Sequence, residues 1–352
     1  SNPSATRVRS LLEGVPDTAP TDLQEIQQLL ESLDLLENET SGMPGTITFL
    51  ENPELISLLI EKCEGIEAAI GNFESSLDHN DYVLQDIEKT NACIIQAKDL
   101  IWTLRNDRVR LVESVRELSQ EDRQEGLVET CITIHEALSA LDRLEVRGRD
   151  SAGLHLMIRD HALDLNDPMI SSEIQDRSSD GNFKSGSVRV GDGQISFVYK
   201  TASEIGRLGD NTHVLRKAIM SDKLLRRALL NDEASAIVVG HTRWASIGIV
   251  SEPNAHPLNS EQEGNSGLPY IIAAINGDVD NFADLKELEN LDIAPAVTSD
   301  SKIMPTLMAQ HLEREEDARS QVSEAFRRTA GSLEGSVAVV ANAASDPEYL
   351  HL

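Results

Sequence analysis

The sequence predicts a mixed α/β domain that follows a long helical segment. From residue 20 to about 145, apolar residues recur at spacings of three and four, which is typical of amphipathic helices. After residue 150, short apolar runs of strand length alternate with amphipathic helices. No glycine-rich phosphate loop follows any of these runs, so the pattern does not support a βαβ dinucleotide-binding fold.

Composition narrows the classes of partner. The 352 residues suffice for two modest domains. Sixty acidic and 31 basic side chains give a formal net charge of -29. This charge repels phosphate backbones and anionic membranes, so we expect no nucleic-acid or membrane partner. No apolar run approaches the roughly 20 residues of a membrane-spanning helix. Three cysteines without metal-ligand spacing predict no metal site and a reducing, cytoplasmic setting; no cofactor is predicted.

The helical segment is predicted from caps, breaks and periodicity. Thr21 or Asp22 can cap its first helix. Residues 40–52 contain Gly-Met-Pro-Gly, which predicts a break, and Pro53 suits the first turn of the next helix. A further apolar face is sustained over 84–118, which predicts long antiparallel helices.

The second half is predicted to alternate strands and helices. A hairpin is expected over 188–199, because two apolar runs flank Gly-Asp-Gly. Residues 171–187 are rich in Ser, Asp and Gly, which predicts a mobile surface loop. The remaining expected strands are 153–158, 236–240, 270–275 and 337–340, and the expected helices are 214–230, 284–288, 303–312 and 322–329.

Four short motifs stand out in this second half. Residues 147–153 have the sequence Arg-Gly-Arg-Asp-Ser-Ala-Gly, and residues 241–248 have His-Thr-Arg-Trp-Ala-Ser-Ile-Gly. Residues 251–257 have Ser-Glu-Pro-Asn-Ala-His-Pro, and residues 274–277, Ala-Ile-Asn-Gly, are expected to end a strand. In order and spacing they resemble the class II glutamine amidotransferases, most closely the glucosamine-6-phosphate synthase type. The resemblance covers about two-thirds of the chain, from residue 138 to about 345.

The resemblance implies a fold and a domain organisation. We expect an α+β fold, the four-layer αββα sandwich of N-terminal-nucleophile hydrolases, with a large inserted all-helical hairpin or bundle. Residues 1–19 would follow a missing nucleophile strand, residues 20–137 would be the helical insertion, and residues 138–352 would be a glutaminase-like domain that is incomplete at its C-terminus. The last helix of the insertion, over 127–141, runs without a break toward Arg147, which supports this interpretation.

The resemblance also implies site residues. Asn276 and the backbone N–H of Gly277 match the family's oxyanion donors, and both group types suit charge that develops on a carbonyl oxygen. Arg243 matches the clamp on the substrate α-carboxylate, a role suited to a bidentate guanidinium. Asp300 matches the acceptor for the substrate ammonium, and Trp244 matches a gate for ammonia.

The remaining matches belong to the site loops. Ser246 and His256 join the expected substrate-binding set, and Arg147 and Asp150 are expected to support the loop over the site. No metal ligand is expected.

Each assignment has a plainer alternative. Arg243 could be a structural ion-pair partner, Asn-Gly is often only a tight turn, and Asp300 could cap the following helix. His241 and His256 are expected to be structural hydrogen-bonding groups rather than acids or bases.

The family's N-terminal nucleophilic cysteine, which its own α-amine activates, has no counterpart in this chain. Cys63, Cys93 and Cys131 lie on predicted helical faces, where a packed thiol is expected. Ile247 and Ile275 stand where the family usually has histidines, and Lys302 stands where it has an acidic residue.

Three functions remain open. The first is a cytoplasmic glutaminase domain that supplies ammonia to a downstream sugar isomerase or synthase domain acting on fructose-6-phosphate. This chain by itself would be inactive, and a homodimer is left open. The second is a degenerate glutaminase-fold module that binds an amino acid or acts as a scaffold. The third is an N-terminal-nucleophile hydrolase for another amide.

Overall fold

The computed structural model describes residues 3–77, 84–120, 122–191, 193–202, 207–244, 248–263, 267–314 and 321–352. Its contacts divide the chain into two compact units, Ser1–Arg123 and Gln124–Leu352. Within the described ranges, none of the helices is both long and apolar enough to cross a lipid bilayer.

The first unit is helical throughout its described residues. A π-helical segment, Thr103–Arg108, joins the last two helices, so the predicted long helix over 84–118 is confirmed. The cap at Asp22 is also confirmed, because its Oδ1 accepts the backbone N–H of Glu25 at 2.9 Å. The six α-helices are α1 (Pro3–Gly14), α2 (Leu23–Thr40), α3 (Gly42–Glu51), α4 (Glu54–Leu77), α5 (Leu84–Trp102) and α6 (Val109–Ser119).

The predicted break over residues 40–52 is wrong, because α3 occupies most of it. The break shrinks to Ser41, which has extended backbone, and Gly42, which has φ +65°. Gly45 packs against the end of α2, where an added Cβ would lie 2.1 Å from the backbone oxygen of Thr40. Glycine here serves a close helix contact rather than a loop.

The second unit contains two four-stranded antiparallel sheets with helices, so the predicted mixed α/β organisation is confirmed. The first sheet has the strand order β2-β3-β1-β4, and the second has β5-β6-β7-β8. The strands are β1 (Ser151–Arg159), β2 (Val188–Gly191), β3 (Gln194–Ala202), β4 (Ser235–Arg243), β5 (Leu258–Asn259), β6 (Ile271–Val279), β7 (Gly335–Ala343) and β8 (Asp346–His351). The helices are α7 (Glu125–Leu144), α8 (Pro168–Ser178), α9 (Asp210–Ser221), α10 (Lys223–Ala228), α11 (Phe282–Leu288), α12 (Ile303–Glu313) and α13 (Gln321–Ser332).

Helices cover both sheets, and the sheets touch each other. Helix α7 packs on β4, and α12 packs on β6. Between the sheets, His155 of β1 shares a hydrogen bond of 3.0 Å with the hydroxyl of Tyr270, and Gln194 of β3 donates to the backbone oxygen of Ala344 at 2.5 Å. The two sheets are therefore in direct contact.

Three local predictions in this unit need comment. The hairpin over 188–199 is confirmed by the pairing of β2 with β3, although its turn residue Asp192 lies outside the described residues. The predicted mobile loop over 171–187 is wrong in its first half, because that half is part of α8, a helix that Asp167 caps. The predicted helix over 214–230 is interrupted at Asp222, whose carboxylate caps α10.

Helix α7 belongs to the second unit, since the contact boundary falls before it. The division at residue 138, and the interpretation of the helical segment as an insertion, stay predictions.

Candidate active site

The first two motifs meet at the end of β4. In the ladder between β1 and β4, Ser151 pairs with Arg243, and the backbone N–H of Asp150 donates to the oxygen of Arg243 at 3.1 Å. The backbone of Arg243 also lies against Gly148, where an added Cβ would approach its carbonyl carbon to 3.0 Å. The glycine-containing loop therefore fits closely against the strand that carries Arg243.

The side chain of Arg243 is buried, with 7% of its residue surface exposed. Burial lowers the pKa of its guanidinium, while the nearby carboxylates of Asp300 and Asp150 act in the opposite direction. The structure thus brings Arg243 and Asp300, which are distant in sequence, into electrostatic range.

Asp300 is tied to strand β6. Its Oδ2 accepts the backbone N–H of Val279 at 2.7 Å, and its Oδ1 accepts the backbone N–H of Ser301 at 2.9 Å. It does not cap α12, whose N-cap position is Lys302. The hydroxyl of Ser301 also donates to Oδ1, at 3.4 Å, and a carboxylate with about four lone-pair sites retains acceptor capacity after these three bonds.

Asn276 and Gly277 lie inside β6, so the expectation that they end a strand is wrong, and so is the tight-turn alternative. They pair with Ala338 and Val337 of β7 and are exposed. Gly277 has φ +131°, and an added Cβ would lie 2.0 Å from the backbone oxygen of Ser336. Only glycine fits this position without a shift of the backbone.

Two backbone N–H groups of β6 on either side of Gly277 bond to site residues. The N–H groups of Ile275 and Val279 donate to His256 Nδ1 at 3.4 Å and to Asp300 Oδ2 at 2.7 Å. Gly277 lies on β6 between these two residues, so the gap between His256 and Asp300 is next to its backbone.

Two histidines stack beside Arg243. The ring centroids of His241 and His256 are 4.6 Å apart, and His256 Nε2 lies 3.4 Å from Ser299 Oγ. Burial, followed by the Arg243 charge, lowers the pKa of His241 to about 4. Burial also moves the pKa of His256 well below its usual value, with His241 the next cause. Both rings are therefore neutral near pH 7, as expected of structural hydrogen-bonding groups.

The other predicted site residues are exposed, half-buried or outside the described residues. Trp244 follows Arg243 with 74% of its surface exposed, and Arg147 is exposed. Asp150 is half-buried near Arg243. Ser246 lies outside the described residues. Among the described side chains, no cluster of three or more His, Cys, Asp or Glu could hold a metal ion.

Sequence reasoning missed the role of Asn254. This fully buried side chain accepts the backbone N–H groups of Thr298 and Ser299 at 2.7 and 2.8 Å. It thereby fixes the turn that leads into Asp300. The signal available was its place in the Ser-Glu-Pro-Asn-Ala-His-Pro motif.

The expected packing of the cysteines is confirmed for Cys63 and Cys131, which are buried in α4 and α7. Burial raises the pKa of Cys63 to about 11 and that of Cys131 to about 12. These thiols are protonated near neutral pH, so they lack the thiolate that a nucleophile needs.

Comparison with known proteins agrees with the motifs. No protein-family model matches the chain. The glutamine–fructose-6-phosphate aminotransferase (isomerizing) of Thermococcus kodakarensis is 30% identical over 154 residues, which cover 44% of this chain and 24% of the relative. The enzyme of the same name from Sulfolobus acidocaldarius is 33% identical over 139 residues, 39% of this chain and 22% of the relative. That from Leifsonia xyli is 27% identical over 216 residues, 61% of this chain and 26% of the relative.

The predicted family resemblance is confirmed. The chain spans about a quarter of the length of these aminotransferases. Among solved structures, the glutamine phosphoribosylpyrophosphate amidotransferase of B. subtilis matches 54% of this chain and 35% of its own at 18% identity. Its TM-score of 0.29 is too low to carry a structural argument.

Proposed function

We propose that this chain forms the glutamine-binding part of a glutamine amidotransferase. The observation that carries the proposal is the convergence of Arg243, Asp300 and the Gly277 segment at one place. A cation, an anion and a backbone N–H are the three groups needed to hold an amino acid whose side-chain amide is to be hydrolysed.

Each group has a defined part in this proposal. Arg243 binds the α-carboxylate of glutamine through its guanidinium. Asp300 accepts the α-ammonium with the lone pairs that Val279 and Ser301 leave unused. The side-chain amide of Asn276 and the N–H of Gly277 stabilise the oxyanion that forms when the amide carbonyl is attacked.

The histidines and the loop residues have supporting parts. His256 stays neutral, holds β6 through the N–H of Ile275, and lies beside the substrate. Arg147 and Asp150 support the loop next to Arg243, and Trp244 gates the release of ammonia. Ser246 would complete the substrate-binding set.

Finer structural features belong to the same proposal. The two sheets and their helices form the four-layer αββα sandwich of N-terminal-nucleophile hydrolases, and residues 20–137 are a helical insertion into it. The contacts of α7 with β4, and of α12 with β6, support the order of the layers.

The acceptor follows from the relatives' names. Because they are named glutamine–fructose-6-phosphate aminotransferases, we infer that the ammonia passes to a sugar phosphate such as fructose-6-phosphate. A sugar isomerase or synthase domain would carry out that step, and the intact protein would work in the cytoplasm. A homodimer is compatible with this arrangement.

The nucleophile is proposed to be a cysteine other than Cys63, Cys93 and Cys131. Steady ammonia release from glutamine by residues 1–352 alone would contradict this part of the proposal.

Covalent labelling tests the proposal. The intact gene product would be treated with a diazo-ketone analogue of glutamine, and the adduct would be located by mass spectrometry. An adduct on an N-terminal cysteine supports a working glutaminase. An adduct on Cys131, which is buried in α7, would overturn the assignment. No adduct at all would favour the alternative, a glutaminase-fold module that only binds an amino acid or acts as a scaffold.

A further inference from the structure

A cavity of about 530 Å³ lies in the second unit. Strands β2, β3 and β5 border it, and none of Arg243, Asn276, Gly277 and Asp300 is among its described lining residues. Its volume falls within the range of about 300–1,000 Å³ that is usual for small-molecule sites. The cavity is therefore large enough for a ligand that the glutaminase proposal does not use.

Lys302 presents an incompletely bonded ammonium group to this cavity. The residue is 4% exposed, and its Nζ donates to Asn259 O at 2.5 Å and to Asn259 Oδ1 at 3.0 Å. An ammonium group has three N–H donors, so one has no acceptor among the described residues after these two bonds. Within the described part of the chain, no carboxylate lies within ion-pair distance of this Nζ.

The other cation of the cavity is already neutralised. The guanidinium of Arg189 forms a two-point ion pair with the carboxylate of Glu261. Lys302 is therefore the cation of the described wall that has no carboxylate within ion-pair distance, and Glu263 balances its charge only from elsewhere on the wall. A buried ammonium without a direct ion-pair partner is costly, and an anionic ligand that accepts its N–H would reduce that cost.

We propose that this cavity binds a small monocarboxylate with an aromatic or apolar body, whose carboxylate accepts the free N–H of Lys302. The rings of Phe183 and Tyr270 and the side chains of Leu258 and Val297 supply apolar wall for the body. Glu261 and Glu263 also line the cavity, and their carboxylates disfavour a dianion such as phosphate at neutral pH.

Proton linkage gives this site a pH signature. Burial lowers the pKa of Lys302 to about 7, the nearby Glu261 opposes that effect, and Arg189 reinforces it. Lys200 is the other neighbouring cation. Because a carboxylate binds the protonated ammonium, its affinity should fall as the pH rises through the pKa of Lys302. From pH 6 to pH 8 the expected loss is about tenfold.

The test is isothermal titration of the chain with benzoate and with its neutral isostere benzamide. We expect saturable binding of benzoate only, weakened about tenfold at pH 8. Lys302→Met and Ala294→Phe, which fills the cavity from its wall, should abolish binding. Lys217→Met, an exposed lysine on α9, is the matched control and should bind benzoate like the wild type.

Thermal unfolding of each variant without ligand shows whether it is folded. The proposal is overturned if folded Lys302→Met binds benzoate as the wild type does, or if benzamide binds equally well. Absence of saturable benzoate binding to the wild type would overturn it as well.

Discussion

The backbone N–H of Val279 donates to Oδ2 of Asp300 at 2.7 Å. This bond ties the strand that carries Asn276 and Gly277 to the turn that carries Asp300. One carboxylate therefore has a structural partner as well as its proposed role toward the substrate ammonium. The two contributions can be separated by substitution.

Asp300→Ala removes both contributions, whereas Asp300→Asn retains an oxygen acceptor for Val279. We expect the alanine variant to lose about 1–3 kcal/mol of unfolding free energy, because the buried N–H of Val279 loses its acceptor. The asparagine variant should lose less, yet both should bind glutamine poorly. Urea unfolding and glutamine titration measure the two effects. Wild-type glutamine affinity in Asp300→Asn would refute the ammonium-binding role.

Gly153 of β1 lies against the backbone of the motif at residues 251–257. An added Cβ would lie 2.1 Å from the backbone oxygen of His256 and 3.2 Å from Lys200 Cγ. We expect Gly153→Ala to destabilise the second unit by more than about 2 kcal/mol, because backbone must shift. Gly191→Ala, in the same sheet with open space around its Cβ position, is the matched control. Equal unfolding midpoints for the two variants would contradict this close packing.

Lys200 is a buried lysine on β3, and its Nζ has no hydrogen-bond partner among the described residues. It lies 4.7 Å from the centre of the Phe183 ring. We expect Lys200→Met to raise the unfolding free energy by about 1 kcal/mol at pH 7, since an unsatisfied donor is replaced by an apolar chain. The exposed control Lys217→Met should change it by less than about 0.5 kcal/mol.

The gain from Lys200→Met should also depend on pH. Burial moves the pKa of Lys200 well below its usual value. The folded state therefore sheds its proton at a lower pH than the unfolded state does. The gain should shrink as the pH rises toward about 10.5, the pKa of an unperturbed lysine. A gain that grows with pH would contradict the burial of an uncompensated ammonium.

Acidification should destabilise the second unit through its neutral histidines. Burial lowers the pKa of His155 to about 3, with repulsion from Lys200 as the second cause. Because the unfolded chain takes up this proton near pH 6.5 and the folded chain does not, stability is lost as the pH falls below about 6.5. From pH 7 to pH 5 the loss for His155 is about 2 kcal/mol.

The substitution His155→Gln tests that contribution, since glutamine can still bond to the hydroxyl of Tyr270 but does not titrate. Its unfolding free energy should depend less on pH between 5 and 7 than that of the wild type. Identical pH profiles would show that His155 does not cause the acid sensitivity.

Periodicity predicted well those elements whose conformation depends on residues close to one another in sequence. The faces of α2, α4 and α5–α6 follow from spacing alone, and so does the β2–β3 hairpin. The signals for α8 were also present, since Asp167 and Pro168 are typical of a helix start. The prediction of a loop over 171–187 followed the serine-rich composition of this segment instead of these helix-start signals.

Other features depend on contacts that no local pattern contains. Gly45 looked like a loop residue, but the contact with Thr40 explains it. The extension of β6 through Gly277 to Val279 depends on pairing with β7 and on Asp300. The motif resemblance brought Arg243 and Asp300 forward, whereas the buried bonds of Asn254 became visible only in three dimensions.

The central claim is that Arg243 and Asp300 form a glutamine site, and isothermal titration of the chain with L-glutamine tests it most directly. We expect saturable binding that weakens at least tenfold, about 1.4 kcal/mol, in Arg243→Gln. Arg227→Gln, an exposed arginine on α10, should bind like the wild type. Equal affinity in folded Arg243→Gln and the wild type, or no saturable binding by the wild type, would contradict the claim.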